Sequence, residues 1–503
     1  MTRVSTLREL LAKGADTDVA IAAPGTPPLN YAGLRGLIDR SLAALNGKGI
    51  GRNDRVAIVL PNGPEMAAAF VAIASGATAA PLNPAYRTDE FEFYMSDIGA
   101  KALVVDKGSD SPAVAVARKL GVPIIELVGE PQKGAGSFTL EGGSFVGNGR
   151  YAEPDDIALI LHTSGTTSRP KIVPLSQRNV CASAGNIAET LRFTAADRGL
   201  NIMPLFHIHG LMAGLLAPFS IGSSVFCTPG FNALRFFAWM EEAKPTWYTA
   251  VPTMHQAILT RATHNRAVIA ATPLRFVRSS SSSLPPQVIA ELEATFNAPV
   301  IESYGMTEAS HQMASNLLPP GTRKPGTVGI AAGPRIAIMD EAGKLLPASA
   351  TGEIVIRGAN VTSGYENNPK ANGEAFSDGW FRTGDQGVID GDGYLSITGR
   401  LKEIINRGGE KVSPREVDEI LMDHPAVLQV VTFAMPHEKL GEEVAAAVVL
   451  RDGQSVSEKE LRDFAGQRLA PFKVPRKVVF LPEIPKGATG KLQRIGLAAK
   501  LGL

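Results

Sequence analysis

The stretch Ile157-Ala158-Leu159-Ile160-Leu161-His162-Thr163-Ser164-Gly165-Thr166-Thr167-Ser168-Arg169-Pro170-Lys171 decides how this chain is read. Its first five residues form an apolar run of strand length. The run feeds a turn in which five hydroxyl residues, Thr163, Ser164, Thr166, Thr167 and Ser168, surround Gly165. Such a turn directs several donors at phosphate oxygens, and Lys171 adds positive charge for the outer phosphates. Taken alone, the same residues also suit a plain polar turn. The spacing is not G-x-x-x-x-G-K-[ST], which speaks against a P-loop NTPase.

Outward from this segment, short apolar runs alternate with helical patterns. Arg55–Leu60 reads as a buried strand closed by Pro61-Asn62-Gly63, followed by an Ala-rich helix near Glu65–Ala74. A second helix is expected near Asp89–Ile98 with Thr88 as N-cap, and strands at Ala102–Asp106 and Val122–Leu127. This βαβα order predicts largely parallel, helix-covered sheets. The Gly- and Ser-rich stretch 133–148 reads as a surface connection. From about Gly352 short strands such as Glu353–Arg357 and Tyr394–Thr398, separated by Gly/Asp turns, indicate a β-rich subdomain. A compact module of about 100 residues follows Gly399-Arg400. It is expected to hold helices Pro414–Met422 and Glu458–Leu469 and strands Val427–Ala434, Val444–Leu450 and Val478–Leu481. Ser413-Pro414-Arg415-Glu416 reads as a capping-box helix start. The expected fold class is α/β: a large N-terminal domain of two helix-flanked sheets plus a β-rich subdomain over 1–399, and a small mobile α+β C-terminal domain over 400–503.

Composition narrows the function. With 503 residues, 50 Lys+Arg and 49 Asp+Glu, the net charge is +1, so no global field draws the chain to nucleic acid or anionic lipid. No apolar run of about 18 residues is present, so membrane insertion is not expected. The start of the chain reads as an amphipathic helix rather than a signal peptide. Two cysteines, Cys181 and Cys227, form no disulfide framework, which points to a reducing, cytoplasmic setting. The end, Lys500-Leu501-Gly502-Leu503, is not a Ser-Lys-Leu peroxisomal address. No feature of the sequence specifies an oligomeric state.

Five motifs in order carry a family resemblance. Thr163–Lys171 resembles the phosphate loop of the adenylate-forming superfamily: acyl-CoA synthetases, peptide-synthetase adenylation domains and firefly luciferase. Tyr304-Gly305-Met306-Thr307-Glu308 resembles its second signature. Tyr365, Trp380-Phe381-Arg382-Thr383-Gly384-Asp385 and Gly399-Arg400-Leu401-Lys402-Glu403 resemble later ones, and Pro485–Lys491 resembles its C-terminal lysine motif. The resemblance implies ATP, Mg²⁺ and CoA: a carboxylate is adenylated, then CoA thiolate displaces AMP. It implies that Thr163, Ser164, Gly165, Thr166, Thr167 and Lys171 hold the triphosphate. Thr307 would contact the α-phosphate, Glu308 would hold Mg²⁺, Tyr304 would face adenine, and Asp385 and Arg400 would hold the ribose. Lys491 would serve adenylation, Lys402 would be the hinge, and Gly408 and Gly409 would line the CoA path. Lys491, Glu308, Thr307 and His207 are thus the expected catalytic residues. Read without the family, Lys491 is a surface lysine, Asp385 a turn residue, Tyr304 a core residue and Gly408-Gly409 a β-turn.

Two positions depart from the common pattern. Ser168 and Ile172 stand where Gly is usual, and β-branched Ile172 does not easily take positive φ. The runs HTSGTTSRPK, Met203–Leu211, Trp247–Thr253, Glu308-Ala309-Ser310-His311 and Asn406–Lys411 are similar to a branch of the superfamily that ligates oxalate to CoA in plants and fungi. A small dianion also suits the segment Arg278-Ser279-Ser280-Ser281-Ser282-Ser283, with Ser281 and His311 as donors, Arg278 as charge and His207 between the nucleotide and acyl sites. A structural ion pair of Arg278 is the plainer reading. Other acids remain open, including malonate and small or medium monocarboxylates, as does a free-standing carrier-loading enzyme. The chain ends 12 residues after Lys491, with no carrier domain expected. The polar acyl segment speaks against a luciferase-like oxygenase, and the presence of Lys491 against a nucleotide sensor.

Overall fold

The structure is a computed structural model that describes residues 4–141, 150–163, 170–485 and 494–503. Ser164, Gly165, Thr166, Thr167 and Lys491 lie outside the described residues. Two compact units emerge, each α/β in character. The first gathers described residues within 4–163, 171–336 and 356–376; the second gathers 337–355, 377–485 and 494–503.

Two sheets build the first unit. One runs Phe138–Glu141, Ile124–Gly129, Ala102–Asp106, Arg55–Val59, Thr78–Pro81, Ile157–Thr163, Lys171–Ser176. Its central pairs are parallel and both outer pairs antiparallel. Helix Pro64–Ala74 is buried at every position from Met66 to Ala74, so it is apolar on all sides rather than striped. The other sheet runs Ile330–Ala331, His311–Ser315, Val300–Met306, Phe276–Ser279, Trp247–Ala250, Arg198–Asn201, Ser224–Cys227, Val19–Ala23, Thr26–Asn30. Its interior is parallel and buried on both faces, which accounts for continuous apolar runs rather than alternation. Among the described residues, no helix is long and apolar enough to cross a membrane.

The second unit carries Trp380–Ile389 pairing antiparallel with Leu395–Arg400, and the expected strand at Glu353–Arg357 is divided between the two units. Compactness groups these strands with the C-terminal module. That module has its own sheet, Glu410–Val412, Ile405–Arg407, Gly441–Leu450, Val427–His437, with Lys477–Phe480 added in parallel. Helices Pro414–Met422 and Glu458–Gly466 close its core through Val417, Leu421, Leu461 and Ala465.

Four local expectations change. Helix Thr88–Asp97 takes Thr88 as its first helical residue, and extended Arg87 is the N-cap, its N–H donating to Glu90 at 2.9 Å. Stretch 133–148 is not all surface connection. Phe138–Glu141 is an edge strand with Phe138 buried, because positive-φ Gly134 and Gly136 turn the chain back. Ser413 caps no helix N–H; its hydroxyl donates to the Thr398 carbonyl instead. Ile172 sits in strand Lys171–Ser176, paired with His162 and packed in the core. Extended backbone suits a β-branched residue, so the departure from glycine creates no strain there.

Candidate active site

The site residues of the first unit lie where its strands end, the edge at which open α/β sheets bind ligands. Thr163 and Lys171 form the last antiparallel pair before the loop, which fixes the stems of the phosphate segment. The preceding His162 is tied to Asp97 at 3.0 Å and set edge-on to Tyr94. The Lys171 ammonium lies 4.3 Å above the Tyr365 ring, a cation–π distance. The hydroxyl of the same tyrosine donates to Glu308 Oε1 at 2.9 Å. One buried side chain therefore touches both the loop lysine and the candidate metal carboxylate.

Glu308 lies in the turn Thr307–Ala309 and is 6% exposed. Its carbonyl accepts from the Thr362 N–H at 2.7 Å. Thr307 opens this turn, and largely buried Tyr304 lies on the preceding strand Val300–Met306. Gly305 explains the glycine of that motif: a Cβ there would stand 1.9 Å from the His311 carbonyl oxygen. The tight turn leaves Ser310 at φ 47° and His311 at φ 91°, uncommon for non-glycine residues. Backbone strain of this kind gathers at ligand sites.

Arg278 is the centre of a second cluster. It occupies strand Phe276–Ser279 and is fully buried, with a relative exposure of 0%. Its Nη1 lies 3.2 Å from His209 Nε2 and its Nη2 3.2 Å from His311 Nε2. Thr249 Oγ1 and Gln312 Oε1 accept at 3.4 Å each. Among the described residues no carboxylate pairs with it, so the plain ion-pair reading does not hold. Burial pulls its pKa down to about 9. The His209 and His311 rings stack at 4.8 Å, and His209 Nδ1 lies 3.0 Å from Ser281 Oγ. Ser281 has φ 73°. Burial first, then the neighbouring His311 and Arg278, hold the His209 pKa well below its ordinary value. His207 stands at the N-cap position of the short helix Ile208–Leu211 without a side-chain cap bond, and contributes least among the neighbours that lower the His209 pKa.

The second unit holds the other candidates. Asp385 and Arg400 face each other across the strand pair, joined by an Arg400 Nε–Asp385 Oδ1 bond of 3.0 Å. Lys402 is exposed in the turn that follows. Gly408 and Gly409 form the two-residue turn between Ile405–Arg407 and Glu410–Val412, with φ 59° and 100°. Positive φ at both positions is what a tight hairpin demands.

Sequence reasoning passed over His209, Thr249 and the Tyr365 hydroxyl contact. His209 stands in the very motif from which His207 was picked. Only tertiary placement beside Arg278 separates the two histidines.

Residues 11–366 match the model for AMP-binding enzyme, and residues 416–491 match the model for AMP-binding enzyme C-terminal domain. The chain belongs to the AMP-binding enzyme family. Among AMP-binding enzymes, it is 46% identical to an oxalate–CoA ligase of Arabidopsis thaliana, over 98% of this chain and 97% of that protein. It is 43% identical to an oxalate–CoA ligase of Saccharomyces cerevisiae, over 88% and 86%. The crystal structure of ATP-bound MatB from Rhodopseudomonas palustris superposes with a TM-score of 0.90 at 30% identity, covering 99% of this chain and 98% of that one.

Proposed function

We propose that this protein is an AMP-forming acid–CoA ligase whose acid is oxalate. One observation carries the choice of a small dianion, oxalate among them: a fully buried guanidinium, Arg278, surrounded by His209, His311, Thr249 and Gln312 and by no carboxylate among the described residues. A buried charge without a counter-charge is costly, and a substrate's second carboxylate offsets it. The names of the two relatives support the same acid.

In the first half-reaction a carboxylate oxygen bonds to the α-phosphorus of ATP and pyrophosphate leaves. In the second, CoA thiolate bonds to the acyl carbon and AMP leaves. Bringing the anions together requires cations and oriented donors. We assign Thr163, Ser164, Gly165, Thr166, Thr167 and Lys171 to the triphosphate, Thr307 to the α-phosphate, Tyr304 to adenine, and Asp385 with Arg400 to the ribose. Glu308 suits Mg²⁺, which commonly takes one or two protein carboxylates and completes its shell with phosphate and water. The donor chemistry agrees: Glu308 is a buried carboxylate oriented by Tyr365. Bound there, Mg²⁺ would neutralise phosphate charge. Ser281, His311 and His209 contact the acid, Arg278 supplies charge behind them, and His207 lies toward the nucleotide.

The C-terminal part, 400–503, acts as a mobile cap on 1–399 with its hinge at Lys402. It presents Lys491 for adenylation and the Gly408-Gly409 turn for CoA. The two buried free thiols, Cys181 and Cys227, support work in the reducing cytoplasm.

AMP release with CoA, compared across oxalate, malonate, acetate and octanoate, tests the reading. Oxalate is expected to exceed acetate by at least about 100-fold in kcat/KM, because acetate leaves the buried donors unanswered. Octanoate or acetate as the best substrate would sink the dianion site. Malonate as the best would keep that site and remove oxalate. ATP–pyrophosphate exchange without any CoA-dependent product would favour a carrier-loading enzyme.

A further inference from the structure

We propose that Arg278 is a positioning residue that locks His209 and His311 as neutral Nδ1–H tautomers, so that the acyl site meets its acid with fixed donors. The inference rests on reading this cluster as the acid's site. The two guanidinium contacts point to the tautomers. A guanidinium has donors only. Each imidazole Nε2 lies 3.2 Å from one of its terminal nitrogens, so each Nε2 must present a lone pair. A neutral imidazole with a lone pair on Nε2 carries its proton on Nδ1.

For His209 the consequence propagates one bond further. Its Nδ1–H lies 3.0 Å from Ser281 Oγ and donates to it. The serine oxygen thereby accepts from the imidazole and keeps its own proton for another acceptor. The Thr249 hydroxyl, 2.7 Å from His209 Nε2, shares that single lone pair with Arg278; in the opposite tautomer it would accept from Nε2–H instead. Burial and the adjacent cation oppose an imidazolium at His209. Stacking at 4.8 Å likewise opposes charge on both rings at once. Positive φ at Ser281 and His311 holds the outer ends of both arms in place.

This wiring separates charge from contact. The planar fork of Arg278 is taken up by the two histidines, Thr249 and Gln312. A second substrate carboxylate feels the positive charge but is held by donors one layer closer. Lysine has no two-pronged fork and cannot hold both rings.

Selective ¹⁵N-histidine labelling of the full chain and a long-range ¹H–¹⁵N spectrum read the tautomers directly. The chain has eight histidines, and His209→Gln and His311→Gln variants assign the two of interest. Wild type is expected to show both as neutral Nδ1–H near pH 7.5, about one unit above the ordinary histidine pKa. Arg278→Met is expected to release both to mixed tautomers and to raise KM for oxalate about 10-fold or more while KM for ATP stays within about 2-fold. Arg278→Lys should retain the Nδ1–H form at one ring at most. An Nε2–H or imidazolium signal from either residue in wild type overturns the lock, as does an Arg278→Met spectrum in which both remain Nδ1–H. The wild-type spectrum decides the matter even if the variants do not fold. Nδ1–H tautomers together with a preference for octanoate would retain the lock and reject the oxalate reading.

Discussion

In the first unit the polar chemistry is inside the protein. Arg278, His209 and His311 have almost no exposed surface, and Ser281 and His311 hold backbone angles that ordinary residues avoid. In the second unit the candidate residues other than buried Asp385 are on the outside of a finished core. The Arg400 side chain is 44% exposed, Lys402 and Gly409 are exposed, and Ile405, Val412, Val417 and Val444 close the module beneath them. The difference teaches how each region can be used. A buried, prewired cluster recognises one small anion and tolerates little change of shape. A module with its own core and functional groups on surface turns can present different groups in turn without unfolding.

The sharpest way to break this comparison is Lys491→Ala. If the cap supplies one ammonium to one half-reaction, ATP–pyrophosphate exchange with oxalate falls by on the order of 10²–10³, the scale of losing one electrostatic stabiliser. Thioester formation from preformed oxalyl-AMP stays within about 3-fold. Equal loss of both half-reactions would mean that the two chemistries do not draw on separate surfaces.

Much of the first unit was legible because its strands are buried on both faces and read as uninterrupted apolar runs. Ala102–Asp106 and Pro414–Met422 match the expected bounds residue for residue. The misses turn on partners that the residue pattern does not name, some near in sequence and some distant. Thr88 looks like a cap, but Glu90 serves the N–H of Arg87. Ser413 looks like a cap, but the Thr398 carbonyl takes its proton. His207 and His209 are indistinguishable in Phe206-His207-Ile208-His209, and only the guanidinium of a residue 69 positions on selects His209. The motifs placed Glu308 and Lys171 in one site by resemblance; the Tyr365 side chain between them needed three dimensions.

Burial of uncharged histidine sharpens the contrast through acid sensitivity. His255 is fully buried, and desolvation lowers its pKa to about 3; His209 shifts in the same direction. Between that value and the unfolded pKa near 6.5, the unfolded chain binds protons that the folded chain refuses. Their contribution is therefore intact above about pH 6.5 and is lost as pH falls below it. At pH 5 the loss from His255 is about 2 kcal/mol. Urea midpoints followed through the fluorescence of the three tryptophans should drop from pH 7 to pH 5, and His255→Gln should flatten the slope by about one proton. An unchanged slope in that variant would show that His255 is charged in the folded body.

The smallest expected effect separates conformational need from function on the exposed side. Gly409 has φ 100°, and nothing lies within 4 Å of where its Cβ would be, so Gly409→Ala meets backbone strain but no clash. That strain costs about 1 kcal/mol. If the turn also lines the CoA path, thioester formation slows about 3- to 10-fold while adenylation is untouched, because glycine there serves close approach as well as geometry. Gly408→Asn is the control: φ 59° is the left-handed region that asparagine tolerates, and the one close neighbour of its Cβ, Leu440 Cδ2 at 2.9 Å, is the end of a side chain that can shift, so the hairpin survives while a side chain enters the same surface. Loss of stability in Gly409→Ala with both half-reactions unchanged in both variants would assign the two glycines to the hairpin alone, and the module would then present only Lys491.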